Sequence, residues 1–278
     1  MNATLAQQFS QQGFLVLPGF RDAAAIQAVR DRAADIIEAF DPAGVQAIFT
    51  TQEQQRRVND YFLGSANTIR CFFEEEAFDE HGQLRQAKAL SINKIGHALH
   101  DLDPVFDRFS HGQDLADLAG CLGLAQPLIW QSMVICKQPG IGGEVRWHQD
   151  ATFFDTTPIS VTTFWFALQD AHRDNGCLWV QPGGHLGPLR ERFVRRGDVA
   201  EIEALDITPW PGLADAVPVE VPAGSLVVLH GLLPHYSAAN RSTVSRHAYT
   251  LHATDAHTTY SPGNWLQRDD SLPLRGFA

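Results

Sequence analysis

Ser225-Leu-Val-Val-Leu-His230 runs straight into Gly231-Leu-Leu-Pro234 and then His235-Tyr-Ser237. The first run is apolar and β-branched, with Gly224 before it and Gly231 and Pro234 after it. That is the signature of a short buried strand. Runs of the same kind recur on both sides: Leu128–Lys137, Ser160–Leu168, Cys177–Val180, Pro218–Val221 and Arg246–Ala253. Gly, Pro, Asn and Asp turns separate them. Short strands at close spacing predict a sandwich or small barrel. The segment Gly187–Asp215 interrupts the series and is too long for a plain hairpin connection. It reads as a short helix or as part of a rim.

Upstream of Pro127 the pattern is helical. Asp22 can cap a helix reaching about Phe40, with Ile26, Val29, Ile36, Ile37 and Phe40 on one face. Gly13–Leu17 reads as a strand ending at Pro18-Gly19. A second helix is predicted over Asp103–Cys121, with Val105, Phe106, Phe109, Leu115 and Leu118 at compatible spacing. No change of composition marks a linker. The expected fold is therefore mainly β with flanking α-helices, as one domain over 1–278. Its helix-rich part covers about 1–126 and its β core about 127–256.

An apolar content of 44% with 19% charged residues is enough to build a substantial core. The formal charge of −11 argues against general affinity for nucleic acid or anionic membranes. Cys71, Cys121, Cys136 and Cys177 form no C-x-x-C, which fits a reducing compartment. Met1–Pro18 lacks the basic region and apolar core of a signal peptide, and no stretch reaches the length of a membrane span. The expected location is cytoplasmic.

His235 has a counterpart in Trp147-His148-Gln149-Asp150, whose Asp150 lies 85 residues upstream of it. His-x-Asp plus a distant His is the donor set of the facial triad that holds non-haem Fe(II) with positions left open. The pair alone is weak evidence, since chance gives His-x-Asp/Glu about once or twice in a chain of this composition. His172-Arg173-Asp174 is the other instance, and it runs into the turn dipeptide Asn175-Gly176, so it reads as loop. What strengthens the first pair is its company. Arg246 follows His235 by eleven residues and can neutralise a buried carboxylate with a bidentate fork. Ser237 can add a hydrogen bond. By period-two alternation Arg246, Ala248, Thr250 and His252 share one strand face, with small Ala248 leaving room for a ligand.

Other residues read more plainly from the sequence. Lys94 looks like a solvated helix residue, and Met133 and Trp165 look like core strand residues. His97 and His100 read as structural helical residues and His230 as a core histidine. His185 reads as a turn histidine, with substrate contact as its alternative. Arg190, Arg192, Arg195 and Arg196 read as a solvated helical face, with an anionic substrate group as the sharper alternative. Gly140–Gly143 and Gly187–Gly197 are candidate lid segments.

The chain resembles the phytanoyl-CoA dioxygenase family of Fe(II)/2-oxoglutarate oxygenases, and its domain-containing proteins in particular. The matching segments are Ser91–Leu99, Gln131–Met133, His148–Phe153, Asn175–Trp179, Pro182–His185 and His235–Ser237 through Arg246. The resemblance implies a double-stranded β-helix core, jelly-roll or cupin-like, with Fe(II) held by His148, Asp150 and His235. It implies 2-oxoglutarate contacts from Arg246 and Ser237, and from Lys94, Met133 and Trp165. Dioxygen is the other co-substrate. Related halogenases carry a small residue where Asp150 stands, so hydroxylation of a small or lipid-like molecule is the expected outcome. Two rivals remain. One is a catalytically silent metal-binding sensor or scaffold on the same fold. The other is a zinc hydrolase, for which no H-E-x-x-H is present.

Overall fold

The strand Thr-Thr-Phe-Trp-Phe-Ala at 162–167 is buried at every position, so its two faces must pack against different layers. Phe164 and Phe166 belong to one core cluster, Trp165 and Ala167 to another. The same division runs through Leu226–His230, where Leu226 and Val228 join the first cluster and Val227 and Leu229 the second. This alternation makes the sheet the middle layer of the molecule. Helices cover one face, and a second sheet closes over the other.

The computed structural model describes residues 3–42, 60–197 and 199–278. In chain order the elements are α1 (Ala3–Gln12), β1 (Phe14–Leu17), α2 (Ala23–Ala39), α3 (Asp60–Leu63), β2 (Ile69–Phe73), β3 (Ile92–His97), α4 (Leu99–Leu102), α5 (Pro104–Ser110) and α6 (Gln113–Cys121). There follow β4 (Pro127–Lys137), β5 (Val145–His148), β6 (Thr156–Thr157), β7 (Thr162–Ala167), β8 (Leu178–Val180), β9 (Glu191–Arg196), β10 (Val199–Ala204) and β11 (Val217–Val219). The chain ends with β12 (Leu226–His230), β13 (His235–Ser237), β14 (Arg246–Asp255) and β15 (Thr259–Tyr260). The large sheet has the order β1-β12-β7-β14-β4-β3-β2, and the small one β11-β8-β13-β5. The fold is a jelly-roll of the cupin-like, double-stranded β-helix kind.

The helical layer forms for local reasons. Asp22 accepts from the Ala25 amide at 2.8 Å and starts α2, which buries Ile26, Val29, Ala33 and Ile37. Asp103 caps α5, with Pro104 in its first turn. The single helix expected over Asp103–Cys121 is two helices, broken at His111-Gly112. There the Gly112 amide donates to the carbonyl of Phe277 at 2.7 Å, and the Phe277 ring packs on Phe164 at 4.8 Å. A tertiary contact with the chain's far end thus outweighs the local helical pattern. Each aromatic buried beneath this layer contributes roughly 1.5–3 kcal/mol.

Two further expectations need correction. Lys94 and His97 lie on β3, a strand of the large sheet, and not on a helix. Arg192, Arg195 and Arg196, read as a helical face, lie on the strand β9, while the stretch from Gly187 to Asp215 does hold a short 3₁₀ helix at Leu213–Asp215. That stretch also carries the β9–β10 hairpin, in register from Val199↔Arg196 to Ala204↔Glu191.

Candidate metal centre

The small sheet brings the two histidines together. β13 pairs antiparallel with β5, and His235 is the direct partner of His148. Directly opposed residues place their side chains on the same face, and the two rings lie 4.0 Å apart at 52°. Beyond β5 the chain turns through a 3₁₀ turn at Asp150–Thr152, which swings Asp150 back toward them. Asp150 Oδ1 is 3.8 Å from His148 Nε2 and 3.7 Å from His235 Nε2. These separations are too long for hydrogen bonds and leave a gap between the three donors.

The remaining hydrogen bonds prepare the donors for a cation. His148 Nδ1 donates to Arg146 O at 2.8 Å, and His235 Nδ1 donates to Leu233 O at 3.0 Å. A carbonyl can only accept, so each Nδ1 carries the proton and each Nε2 presents its lone pair. Thr163 donates to Asp150 Oδ2 at 2.5 Å and turns Oδ1 inward. Loss of solvent, with His235 beside it, lowers the His148 pKa to about 3, so its ring is neutral at pH 7. Burial by itself would raise Asp150, but the imidazoles of His235 and His252 hold it well below the usual carboxylate range. His148, Asp150 and His235 are the one group of metal-capable donors found among the described residues, with ligand atoms within 4.8 Å of one another. Two imidazoles and one carboxylate suit Fe(II).

Next to this gap lies a cationic end. Arg246 is almost completely buried. Its Nε donates to Gly176 O at 3.1 Å and its Nη2 to Ser237 Oγ at 3.3 Å. Ser237 donates in turn to Gly176 O at 2.8 Å. The Arg246 guanidinium lies 5.5 Å from the Trp165 ring centre. Its Nη1 is buried and has no hydrogen-bond partner among the described residues. Burial lowers the Arg246 pKa to about 10, which keeps it charged at neutral pH. A buried charge of this kind calls for an anion.

Register places the remaining candidates on the same face. Arg246, Ala248 and Thr250 oppose Lys137, Ile135 and Met133 on β4, while Ala248 and Thr250 oppose Ala167 and Trp165 on β7. Lys94 opposes Ile135 on β3. Lys94, Met133, Trp165 and Arg246 therefore all face the interior between the sheets. Burial lowers the Lys94 pKa to about 7, while the Glu74 carboxylate pulls it the other way.

Other candidates resolve differently. His185 is buried and bonded through Nε2 to Ser10 O at 3.1 Å, so it ties α1 to the barrel. His230 accepts from the Leu232 amide through Nδ1 and packs on His185 and Phe9. His97 bonds Ser65 Oγ, and His100 bonds Ser132 Oγ. His172 lies beside a 3₁₀ turn, as its sequence suggested. The arginine cluster is engaged largely within the protein, although Arg190 Nη1 is buried with no hydrogen-bond partner among the described residues. Arg190 stacks on Trp210, Arg192 pairs with Asp155, Arg195 bonds Gly197 O, and Arg196 pairs with Glu201 and Glu203. Gly140–Gly143 is pinned by the Gly142↔Asn240 bridge and by Gly140 N to Ser242 O, which is poor material for a lid.

Several contributors were not singled out from the sequence. Thr163 could have been found by alternation, two residues before Trp165 on the same strand face. Gln149 is buried between the two motif residues. It bonds Pro188 O, Leu232 O and the Arg190 amide, which ties the rim to this turn. Gly176 had been read only as a turn residue, yet its carbonyl orients both Ser237 and Arg246. Its contact is through backbone, and nothing in a residue's identity announces that.

Solved structures with this fold include EctD from S. alaskensis with 2-oxoglutarate and 5-hydroxyectoine. Its TM-score is 0.66 at 20% identity, covering 97% of this chain and 84% of that one. The epimerase SnoN in complex with Fe3+, alpha ketoglutarate and nogalamycin RO gives 0.65 at 18% identity, covering 98% and 97%. At such identity the likeness concerns the fold. Sequence speaks to the family. The family model Phytanoyl-CoA dioxygenase (PhyH) matches residues 9–248. Phytanoyl-CoA dioxygenase 1 of Oryza sativa subsp. japonica is 48% identical over 261 residues, covering 94% of this chain and 92% of the relative. Phytanoyl-CoA dioxygenase domain-containing protein 1 of Bos taurus is 44% identical over 277 residues, covering 96% and 95%. The protein is an Fe(II)/2-oxoglutarate-dependent dioxygenase. It belongs to the phytanoyl-CoA dioxygenase family. No helix among the described residues is long and apolar enough to cross a membrane.

Proposed function

We propose that the chain acts as one catalytic unit over residues 1–278, in the cytoplasm, and hydroxylates an unactivated C–H bond of a small or lipid-like molecule. The balanced reaction is R–H + 2-oxoglutarate + O2 → R–OH + succinate + CO2. In this reading His148, Asp150 and His235 hold Fe(II). Arg246 and Ser237 take the distal carboxylate of 2-oxoglutarate, with Lys94, Met133 and Trp165 lining its place. The observation that carries the reading is the pairing of two features: three inward donors with both Nδ1 atoms already bonded, and the buried Arg246 whose Nη1 lacks a partner.

Bound Fe(II) supplies the redox chemistry that couples decarboxylation of 2-oxoglutarate to oxidation of the substrate. The chain's own work is positioning. Thr163 holds the Asp150 carboxylate, and the Arg146 and Leu233 carbonyls fix both ring orientations. Arg246 offers a preformed fork to a carboxylate. Phe153 stands 6.3 Å from the His148 ring and 5.7 Å from Phe193 on the rim hairpin. That apolar wall excludes water and suits an apolar substrate. The carboxylate at Asp150 favours hydroxylation over halogenation. Because Arg196 is neutralised by two glutamates, the arginine cluster offers little to a polyphosphate group.

The test is succinate release from the anaerobically reconstituted protein, screened over metabolite classes, with His148→Ala as the blank. Substrate-stimulated succinate above the blank is expected. Metal binding with no succinate above the blank, even from uncoupled turnover, would favour a silent sensor instead.

A further inference from the structure

Lys137 has no part in the reading above, yet it touches the segments that lead into both histidine strands and lies opposite Arg246. It is 2% exposed and lies at the end of β4, directly opposite Arg246. Its Nζ donates to Gly143 O at 2.6 Å and to Ala238 O at 2.8 Å. Gly143 lies two residues before β5, which ends in His148. Ala238 immediately follows β13, which begins with His235. One buried amino group therefore ties together the outer ends of the two strands whose pairing opposes the histidines.

The stem of the side chain works as hard as its head. A Cβ on Gly176 would meet Lys137 Cδ at 2.5 Å, and one on Gly142 would meet Lys137 Cγ at 2.8 Å. The methylenes thus fill the space between two glycines. The carbonyl of Gly176 is the atom that orients Arg246 and Ser237. Gly143 is held from the other side as well, since its amide donates to Glu74 Oε2 at 3.2 Å. Asn240 adds a further tie, donating to Lys137 O at 3.1 Å.

We infer that Lys137 is a positioning residue, whose buried amino group and stem set the spacing of His148 and His235 and the placement of Arg246. The inference rests on the metal and co-substrate roles proposed above. An N–H donor is needed because both its partners are carbonyls, and burial with Arg246 nearby lowers the Lys137 pKa to about 7. A methionine would keep most of the stem and leave those acceptors without a donor.

The test uses Lys137→Met and Lys137→Gln, each checked for cooperative thermal unfolding. Co(II), in place of Fe(II), and 2-oxoglutarate are titrated anaerobically by calorimetry, and the visible spectrum of bound Co(II) reports ligand geometry. Folded variants should bind Co(II) about tenfold or more weakly, in the range seen when groups supporting metal ligands are removed. Their 2-oxoglutarate binding should weaken and the Co(II) spectrum should shift. Gln, which keeps an amide donor, should lose less than Met. Folded variants with wild-type affinities and an unchanged spectrum would overturn the inference. So would loss of cooperative unfolding in both, which would assign Lys137 to the fold and not to the site. If the unmodified protein binds neither Co(II) nor 2-oxoglutarate, the metal-site reading fails first.

Discussion

Arg246 donates to Ser237 across 3.3 Å, and Ser237 stands two residues beyond His235 on the same strand. The proposed anion-binding end and the proposed metal-binding end of the pocket are thus fixed to one another through β13. A change at either should be felt at the other.

Replacing Arg246 by Ala should raise KM for 2-oxoglutarate by about 100-fold or more, since it leaves a buried carboxylate without its partner. Arg246→Lys should recover only part of this, because an ammonium lacks the planar fork. Steady-state kinetics with 2-oxoglutarate varied will measure it. Equal KM values for Arg and Ala would remove Arg246 from the pocket.

Thr163→Val removes the hydroxyl that holds Asp150 Oδ2 while keeping the side chain's shape. Metal affinity should fall by about 10–100-fold with little change in melting temperature. Isothermal titration with Mn(II) reads the first and calorimetric unfolding the second. Unchanged Mn(II) affinity would show that Asp150 is held by other means.

Lys94 has a pKa of about 7 in the free pocket, lowered from 10.5 by burial, so at pH 8 it is mostly neutral. A carboxylate arriving beside it favours the charged form and raises the pKa. Binding of 2-oxoglutarate should therefore take up a proton at pH 8 and almost none at pH 6, where Lys94 is already protonated. Calorimetry in buffers of different ionisation enthalpy counts the protons. Lys94→Met should reduce the uptake, with the remainder from Lys137, whose pKa is also lowered to about 7 by burial and Arg246; uptake unchanged in that variant would reject the assignment.

Cys71, Cys136 and Cys177 are buried, and burial raises all three thiols, Cys71 to about 12 and Cys177 to about 11. Thiolate is the reactive form. A thiol reagent at pH 8 should label half-buried Cys121 first and the others only on unfolding. Mass spectrometry of the native protein will show which is modified.

The β core was legible because its strands carry their own period and turn residues. The strand-to-turn passage at Ser225–Ser237 is placed almost to the residue. The donor set was legible because the weak His148–Asp150 pair keeps company with a distant His235 and with Arg246. Lys94 was misread as helical because Ile92–His97 mixes polar and apolar residues, and only pairing with β2 and β4 makes it a strand. The break in Asp103–Cys121 was hidden because its cause, Phe277, lies at the far end of the chain. Gly176 and Lys137 act through backbone carbonyls, which every residue has, so their roles become visible only in three dimensions.

A crystal grown anaerobically with Mn(II) and 2-oxoglutarate decides the matter. The anomalous signal should mark one ion within bonding distance of His148 Nε2, His235 Nε2 and an Asp150 oxygen, with the co-substrate's distal carboxylate on Arg246. An ion bound elsewhere, or a co-substrate that leaves Arg246 Nη1 unpaired, would contradict the mechanism proposed for this site.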